Sequence, residues 1–262
     1  MKSHTPLVIG HRGAAALYPE NTLASFKEAF SKGAAQMIEF DIQASQEGIP
    51  VVIHDATLRR TTNGSGTIRK HSLKELQALD AGYRFENPRG RFPFRNKDYG
   101  IPTFEELLGQ FPKRRLMVEI KDTDPNLTRE IIRLIHRYKA EKYCLVGSLD
   151  DRVARLIKKE FPAVRRFLSL QEVLALWKIR DRSSNKPCLH QGHIASMPLR
   201  YRGLKLDHPD WLEFLHRLGI KIFFWTINDP REVKRLAGLG VDGMITDNPE
   251  KISKILNLKS KI

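Results

Sequence analysis

Short apolar runs rich in Val, Ile and Phe recur along the chain with helical patterns between them, and this alternation limits the fold more than any other feature. Strands are expected at residues 7–10, 36–43, 116–121, 143–147, 165–169, 193–197, 220–226 and 243–246, with clear helical periodicity at 21–32, 104–110 and 126–138. Helices between successive strands demand right-handed crossovers and a parallel sheet. Eight such units close most naturally into an α/β fold of the (β/α)8 TIM-barrel type, which takes about 250 residues; the chain has 262. A doubly wound open sheet is the alternative. The expectation is a single TIM-barrel domain over 1–262.

The run 50–54 follows the second strand too closely for a parallel crossover, which needs a dozen or more residues, so it is expected to return as a β-hairpin. A turn at Glu47-Gly48 would set Asp41 opposite His54. A small insertion should then run from about 56 to 100, with a short helix near 72–79 opened by Ser72 and Glu75 in a capping-box pattern. Its second half, 84–97, carries Arg84, Arg89, Arg91, Arg95 and Lys97. A second basic group is Lys178, Arg180, Arg182 and Lys186.

Composition matters chiefly through charge. Hydrophobic residues at 41% and charged residues at 29% are those of a globular domain, but the formal net charge is +15, which favours anionic partners. Nucleic acid is not expected, since no helix-turn-helix, zinc-finger or RNP-like aromatic motif is present. The opening MKSHTPLVIG has only a three-residue apolar run, against about 7 to 15 in a signal peptide, and the expected location is cytoplasmic. Apolar stretches fall short of the roughly 20 residues that span a bilayer. Cys144 and Cys188 have no metal-ligand spacing and read as packing residues.

In a barrel of this kind the reacting groups lie at the C-terminal ends of the strands. There the sequence places His11-Arg12-Gly13, Glu39 and Asp41, His54-Asp55, and Glu119 and Lys121. Glu39 with Asp41, and Glu119 with Lys121, are two apart and point to one face of their strands. Three inward carboxylates would repel one another unless a cation sat between them. An oxygen donor set suits one divalent metal ion, Mg2+ or Ca2+, better than zinc. The alternative is a structural ion-pair network of these acids with Lys121 and Arg12. His11 and His54 are the candidate general acid and base, because imidazole titrates near neutrality. Arg12 and Lys121 would hold nonbridging phosphate oxygens.

These residues belong to a longer set: His11-Arg12-Gly13, Pro19-Glu20-Asn21-Thr22, Glu39-Phe40-Asp41, residues 51–55 (VVIHD), 58–66 (LRRTTNGSG), Ile101-Pro102-Thr103, Glu119-Ile120-Lys121, Trp225-Thr226-Ile227-Asn228 and Thr246-Asp247-Asn248-Pro249. In order and over nearly the full length, the set resembles the glycerophosphodiester phosphodiesterase family. The resemblance implies metal-dependent hydrolysis of glycerophosphodiesters to glycerol 3-phosphate and an alcohol. It implies Glu39, Asp41 and Glu119 as metal ligands, His11 and His54 as acid and base, phosphate contacts from Arg12 and Lys121, and packing of the glycerol moiety by Trp225. Glu20 is read as support outside the immediate site, Asn21 as a helix cap, and Asp55 and Asp247 as weaker site candidates, since Asp beside a turn or before Pro often serves local backbone bonds. At the hairpin turn Ser45-Gln46-Glu47-Gly48 departs from the family's common Thr-Lys-Asp-Gly while keeping the glycine.

The expected partner is a small phosphodiester. Contact with an anionic membrane surface stays open, because a phospholipase D-like enzyme acting on lysophospholipids would share the barrel. A catalytically silent phosphate or headgroup binder is the reading from another class, although a binder has no need of two histidines and a metal cage. The sequence leaves the alcohol group, the native metal, the assignment of acid and base, the nucleophile and the oligomeric state undecided.

Overall fold

A computed structural model of the chain describes residues 5–180 and 194–257. Its elements run β1 (Leu7–His11), α1 (Leu23–Phe30), β2 (Met37–Ala44), β3 (Pro50–Val52), α2 (Leu73–Gln77), α3 (Phe104–Gln110), β4 (Leu116–Ile120), α4 (Pro125–Arg137), β5 (Cys144–Gly147), α5 (Asp151–Glu160) and α6 (Leu170–Ile179). They continue as β6 (Ile194–Pro198), a small hairpin of β7 (Arg200–Tyr201) and β8 (Leu204–Lys205), α7 (Pro209–Arg217), β9 (Lys221–Trp225), α8 (Pro230–Gly238), β10 (Gly243–Thr246) and α9 (Pro249–Asn257).

Seven parallel strands form a curled sheet in the order β5-β4-β2-β1-β10-β9-β6, with helices between, a TIM-like arrangement. Residues 165–169 do not form the regular strand expected of them: Arg166 bridges to Val146 of β5 and Phe167 to Ile194 of β6, each in parallel. The stretch stays this short because Ser169 already caps α6, accepting from the Glu172 N–H while Glu172 returns a bond to the Ser169 N–H. Helix starts elsewhere are equally local. Asp124 and Asp229 cap α4 and α8, each followed by Pro in the first turn, and Thr103 with Glu106 forms a capping box on α3. The Ser72 and Glu75 box is present on α2.

Two packing layers follow from strand alternation. Outward residues such as Ile38, Phe40, Val118 and Val146 meet the helices, while inward residues Ile9, Met37, Met117, Leu145, Phe167, Ile194, Phe223 and Ile245 fill the interior of the curl. Moving along each strand by two, this plug gives way to polar groups: Ile9 to His11, Met37 to Glu39 and Asp41, Met117 to Glu119. The apolar layer thereby forms the floor beneath the chemistry.

The turn after β2 corrects one expectation. Ser45 N–H donates to Ile49 O (3.0 Å) and Gly48 N–H to Ser45 O (3.0 Å), so three residues make the loop, with Gly48 at φ 81°. A three-residue loop shifts the register by one from a two-residue turn. Ile42 pairs with Val52, and Ile53, not His54, lies across from Asp41, its N–H donating to Asp41 O at 3.0 Å. Cys144 is buried on β5 and its thiol is pushed up to about 12 by burial, in keeping with a packing role. Cys188, Arg182 and Lys186 lie outside the described residues. Among those described, no helix is long and apolar enough to cross a membrane.

Candidate active site

A cavity of about 210 Å³ opens at the C-terminal ends of the strands, floored by Met117, Phe167 and Ile245 and walled by His11, Arg12, Glu39, Asp41, His54, Glu119, Lys121 and Trp225. Every residue singled out by sequence as a site residue lines this one space. A larger cavity of about 560 Å³, lined by Trp177, Lys205 and Trp211 among others, touches none of them.

Glu39 and Asp41 point inward from β2 and Glu119 from β4, in the register that pairs Asp41 with Glu119. One oxygen from each of the three lies within 4.8 Å of the others, a grouping able to hold a metal ion. Burial, reinforced by the Asp41 charge, pushes Glu39 up to about 8, and burial likewise raises Glu119. Burial opposes ionisation of Asp41 too, but Lys121 and Arg12 hold its carboxyl below the usual range. Lys121 Nζ stands 2.8 Å from Glu119 and 3.2 Å from Asp41. The ion-pair network weighed as a structural alternative is therefore present, yet three carboxylates share two cations, and burial with the Asp41 charge pushes Glu39 toward its protonated form. A hard divalent cation fits the all-oxygen donor set and would let Glu39 ionise.

Arg12 sits at φ 51° and Gly13 at φ 92°. A side chain at residue 13 would meet Ser25, whose hydroxyl accepts from Ala14 N–H and donates to Arg12 O. This tight turn aims the Arg12 N–H at Glu39 (3.3 Å) and brings its Nε to 3.2 Å from Asp41. That Nε is buried against the Asp41 carboxylate without an aligned hydrogen bond.

Each histidine is backed by a carboxylate. His11 Nδ1 lies 2.6 Å from Asp247, and His54 Nδ1 lies 2.6 Å from Asp55. Such a partner fixes ring orientation and directs the other nitrogen toward the cavity. Burial opposes the charged form of His11, but Asp247 and Glu39 together raise its pKa. Asp247 is itself held by Asn228, which donates Nδ2–H to its second oxygen at 2.6 Å.

One sequence reading changes here: Asn21 does not cap α1; Thr22 does, and Asn21 donates to Asp41 at 3.0 Å. Glu20 lies behind Arg12, accepting from its Nη1 at 2.8 Å, as expected of a support outside the immediate site. Asp55 and Asp247, weaker candidates by sequence, stand directly behind the histidines. The signal that could have ranked them higher was position: Asp55 directly follows His54, and Asp247 directly follows the strand that pairs with β1, next to His11 in that register.

Paired imidazoles, an arginine, a lysine and an acidic cluster in one cavity are a set suited to hydrolytic phosphoryl transfer. Residues 11–251 match the glycerophosphoryl diester phosphodiesterase family. The chain is 32% identical to the glycerophosphodiester phosphodiesterase of Caldanaerobacter subterraneus subsp. tengcongensis, over 95% of this chain and 97% of that one. Its structure is similar to the glycerophosphoryl diester phosphodiesterase domain of a Mycobacterium tuberculosis protein (TM-score 0.83, 20% identity, 96% and 99% of the two chains). It is also similar to an Oleispira antarctica phosphodiesterase solved with its product sn-glycerol-3-phosphate (TM-score 0.73, 27% identity, 97% of each chain). The chain belongs to the glycerophosphoryl diester phosphodiesterase family, and its activity is that of a phosphoric diester hydrolase acting on glycerophosphodiesters.

Proposed function

We propose that the chain hydrolyses small glycerophosphodiesters to glycerol 3-phosphate and an alcohol, with His11 and His54 as general acid and base. The observation carrying this reading is that both imidazoles, each braced by a carboxylate at 2.6 Å, share one cavity with the acidic cluster. Glu39, Asp41 and Glu119 would hold one divalent ion, Mg2+ or Ca2+. When bound, that ion supplies positive charge that polarises the phosphoryl group.

Arg12 and Lys121 bind nonbridging oxygens and orient the phosphorus for in-line attack. One histidine takes the proton from the attacking hydroxyl as the new O–P bond forms. The other gives its proton to the departing alkoxide oxygen as the old P–O bond breaks. The nucleophile is water, or the neighbouring glycerol hydroxyl followed by hydrolysis of a cyclic phosphate. Trp225 offers an apolar face to the glycerol carbons, and the cavity floor excludes water beneath them. His11→Ala and His54→Ala should each lower kcat by about 100-fold or more on glycerophosphocholine. Turnover equal to the parent protein in both variants would overturn the mechanism.

One surface feature supports a second substrate reading, lysophospholipids presented at an anionic membrane. Leu17 (37% exposed) and Phe92 (38% exposed) flank the Tyr18–Phe94 ring stack, with Arg89 and Arg91 exposed beside Phe92. The turn carrying Leu17 reaches the mouth, where Ala16 N–H donates to Asp247 O at 2.9 Å. Lysophosphatidylcholine hydrolysis should rise when the lipid is carried in vesicles containing phosphatidylserine. No rise over neutral vesicles would leave the soluble diester as the substrate.

A further inference from the structure

Arg60 stands outside the cavity, yet its guanidinium contacts the carboxylate behind one histidine and the carboxylate behind the phosphate-binding arginine. Its Nε and Nη2 donate to Asp55 at 2.6 and 3.2 Å. Its Nη1 and Nη2 donate to Glu20 at 2.8 and 2.7 Å. Asp55 in turn holds His54 Nδ1 at 2.6 Å, and Glu20 accepts from Arg12 Nη1 at 2.8 Å. A continuous chain of hydrogen-bonded side chains, His54–Asp55–Arg60–Glu20–Arg12, therefore runs around the rim from the proposed acid/base group to the proposed anion-binding group.

From this geometry we infer that Arg60 is a positioning residue that sets His54 and Arg12 in mutual register through Asp55 and Glu20. The inference rests on the roles proposed above for those two residues. Three features support it. Arg60 joins segments 40 residues apart, the turn after β1 and the stretch after β3, which no strand pairing connects at this point. Its own segment is firmly based: Thr57 bridges to Thr67, Leu58 N–H donates to Gly66 O at 3.0 Å, and Leu58 is fully buried beside Val51, Ile53, Ile68 and Leu76. Finally, its side chain is 46% exposed, where ion pairs add little to stability, so the contacts matter mainly for orientation. A planar five-donor fork can serve two carboxylates at fixed angles; an ammonium cannot.

The test is steady-state kinetics on glycerophosphocholine for Arg60→Ala, Arg60→Lys and Arg60→Ala placed in a Glu20→Gln/Asp55→Asn background. Arg60→Ala should lower kcat and raise KM together, for a combined loss of about 10- to 100-fold in kcat/KM, with its thermal unfolding midpoint close to that of the parent. Arg60→Lys should recover part of the loss. In the doubly substituted background, Arg60→Ala should add less than about twofold, because its effect travels through the two carboxylates.

Full activity in Arg60→Ala overturns the inference. So does an undiminished loss in the substituted background, which would make Arg60 a direct substrate contact, or a loss explained by a lowered unfolding midpoint. His54→Ala and Arg12→Ala assayed alongside separate the two levels: if these retain activity, the reading of the site has failed, and if they lose it while Arg60→Ala does not, only the positioning role has.

Discussion

Replacing Asp247 by Asn keeps the shape of the side chain and removes the charge behind His11. In the parent protein Asp247 Oδ1 is 2.6 Å from His11 Nδ1, and its other oxygen is held by Asn228 at 2.6 Å. A hydrogen bond to a charged group of this kind is worth about 1.5 to 3 kcal/mol, and both partners are mostly shielded, with side chains 20% and 30% exposed. At about 1.4 kcal/mol per tenfold, its loss should lower kcat/KM about 10- to 150-fold if His11 is charged at the decisive step. An Asn amide can also favour the wrong tautomer, which adds to the loss.

The pH profile carries the sign. Burial depresses the charged imidazole of His11, and Asp247 with Glu39 more than compensates, so its folded pKa is raised. Without Asp247 the burial effect gains ground, and the limb of the kcat/KM profile belonging to His11 should move to lower pH. The assay is glycerol 3-phosphate release from glycerophosphocholine across pH, with circular dichroism to check the fold. Activity within about twofold of the parent and an unmoved limb would refute the assignment of Asp247 as the carboxylate that orients and charges His11.

Further outcomes follow from the same geometry. Glu39 is pushed up to about 8, above its unfolded value, so its contribution to stability is present at acid pH and is lost as pH rises through about 8. Chelated protein should therefore unfold more readily at pH 8 than at pH 5, and Mg2+ or Ca2+ should restore the melting temperature with proton release by calorimetry; no pH dependence would contradict the buried cluster. Gly13→Ala should destabilise by at least about 2 kcal/mol in urea titration, because φ 92° and the Ser25 backbone 2.7 Å from the added methyl both oppose it. Trp225→Ala should raise KM about tenfold with a smaller change in kcat, since it removes packing common to ground and transition states; the reverse pattern would give Trp225 a role in the chemical step.

Much of this site was legible because strand alternation does the placing. Once residues 36–43 and 116–121 are read as strands, Glu39, Asp41 and Glu119 must share a face, and the structure brings them within 4.8 Å. Helix starts were legible where a side chain caps its own backbone, as at Ser72 with Glu75. What sequence reasoning missed depended on contacts distant along the chain or on turn geometry. Asp247 pairs with His11 across 236 residues, and Arg60 with Glu20 across 40, separations at which residue type says nothing about the partner. The hairpin register turned on whether the loop held two residues or three, which Gly48 alone does not decide. Residues 165–169 (RRFLS) hold only Phe167 and Leu168 as apolar residues, and the cap at Ser169 leaves room for only single bridges on either side.

The central claim, a divalent ion held by Glu39, Asp41 and Glu119 beside two working histidines, is tested most directly by glycerol 3-phosphate release from glycerophosphocholine and glycerophosphoethanolamine. The protein would be stripped with chelator, then titrated with Mg2+ or Ca2+, alongside Glu119→Gln. Turnover that vanishes on stripping, returns with metal in the parent and returns only weakly in the variant is the predicted result. Full turnover in chelator, or none with either metal on either diester, would contradict it.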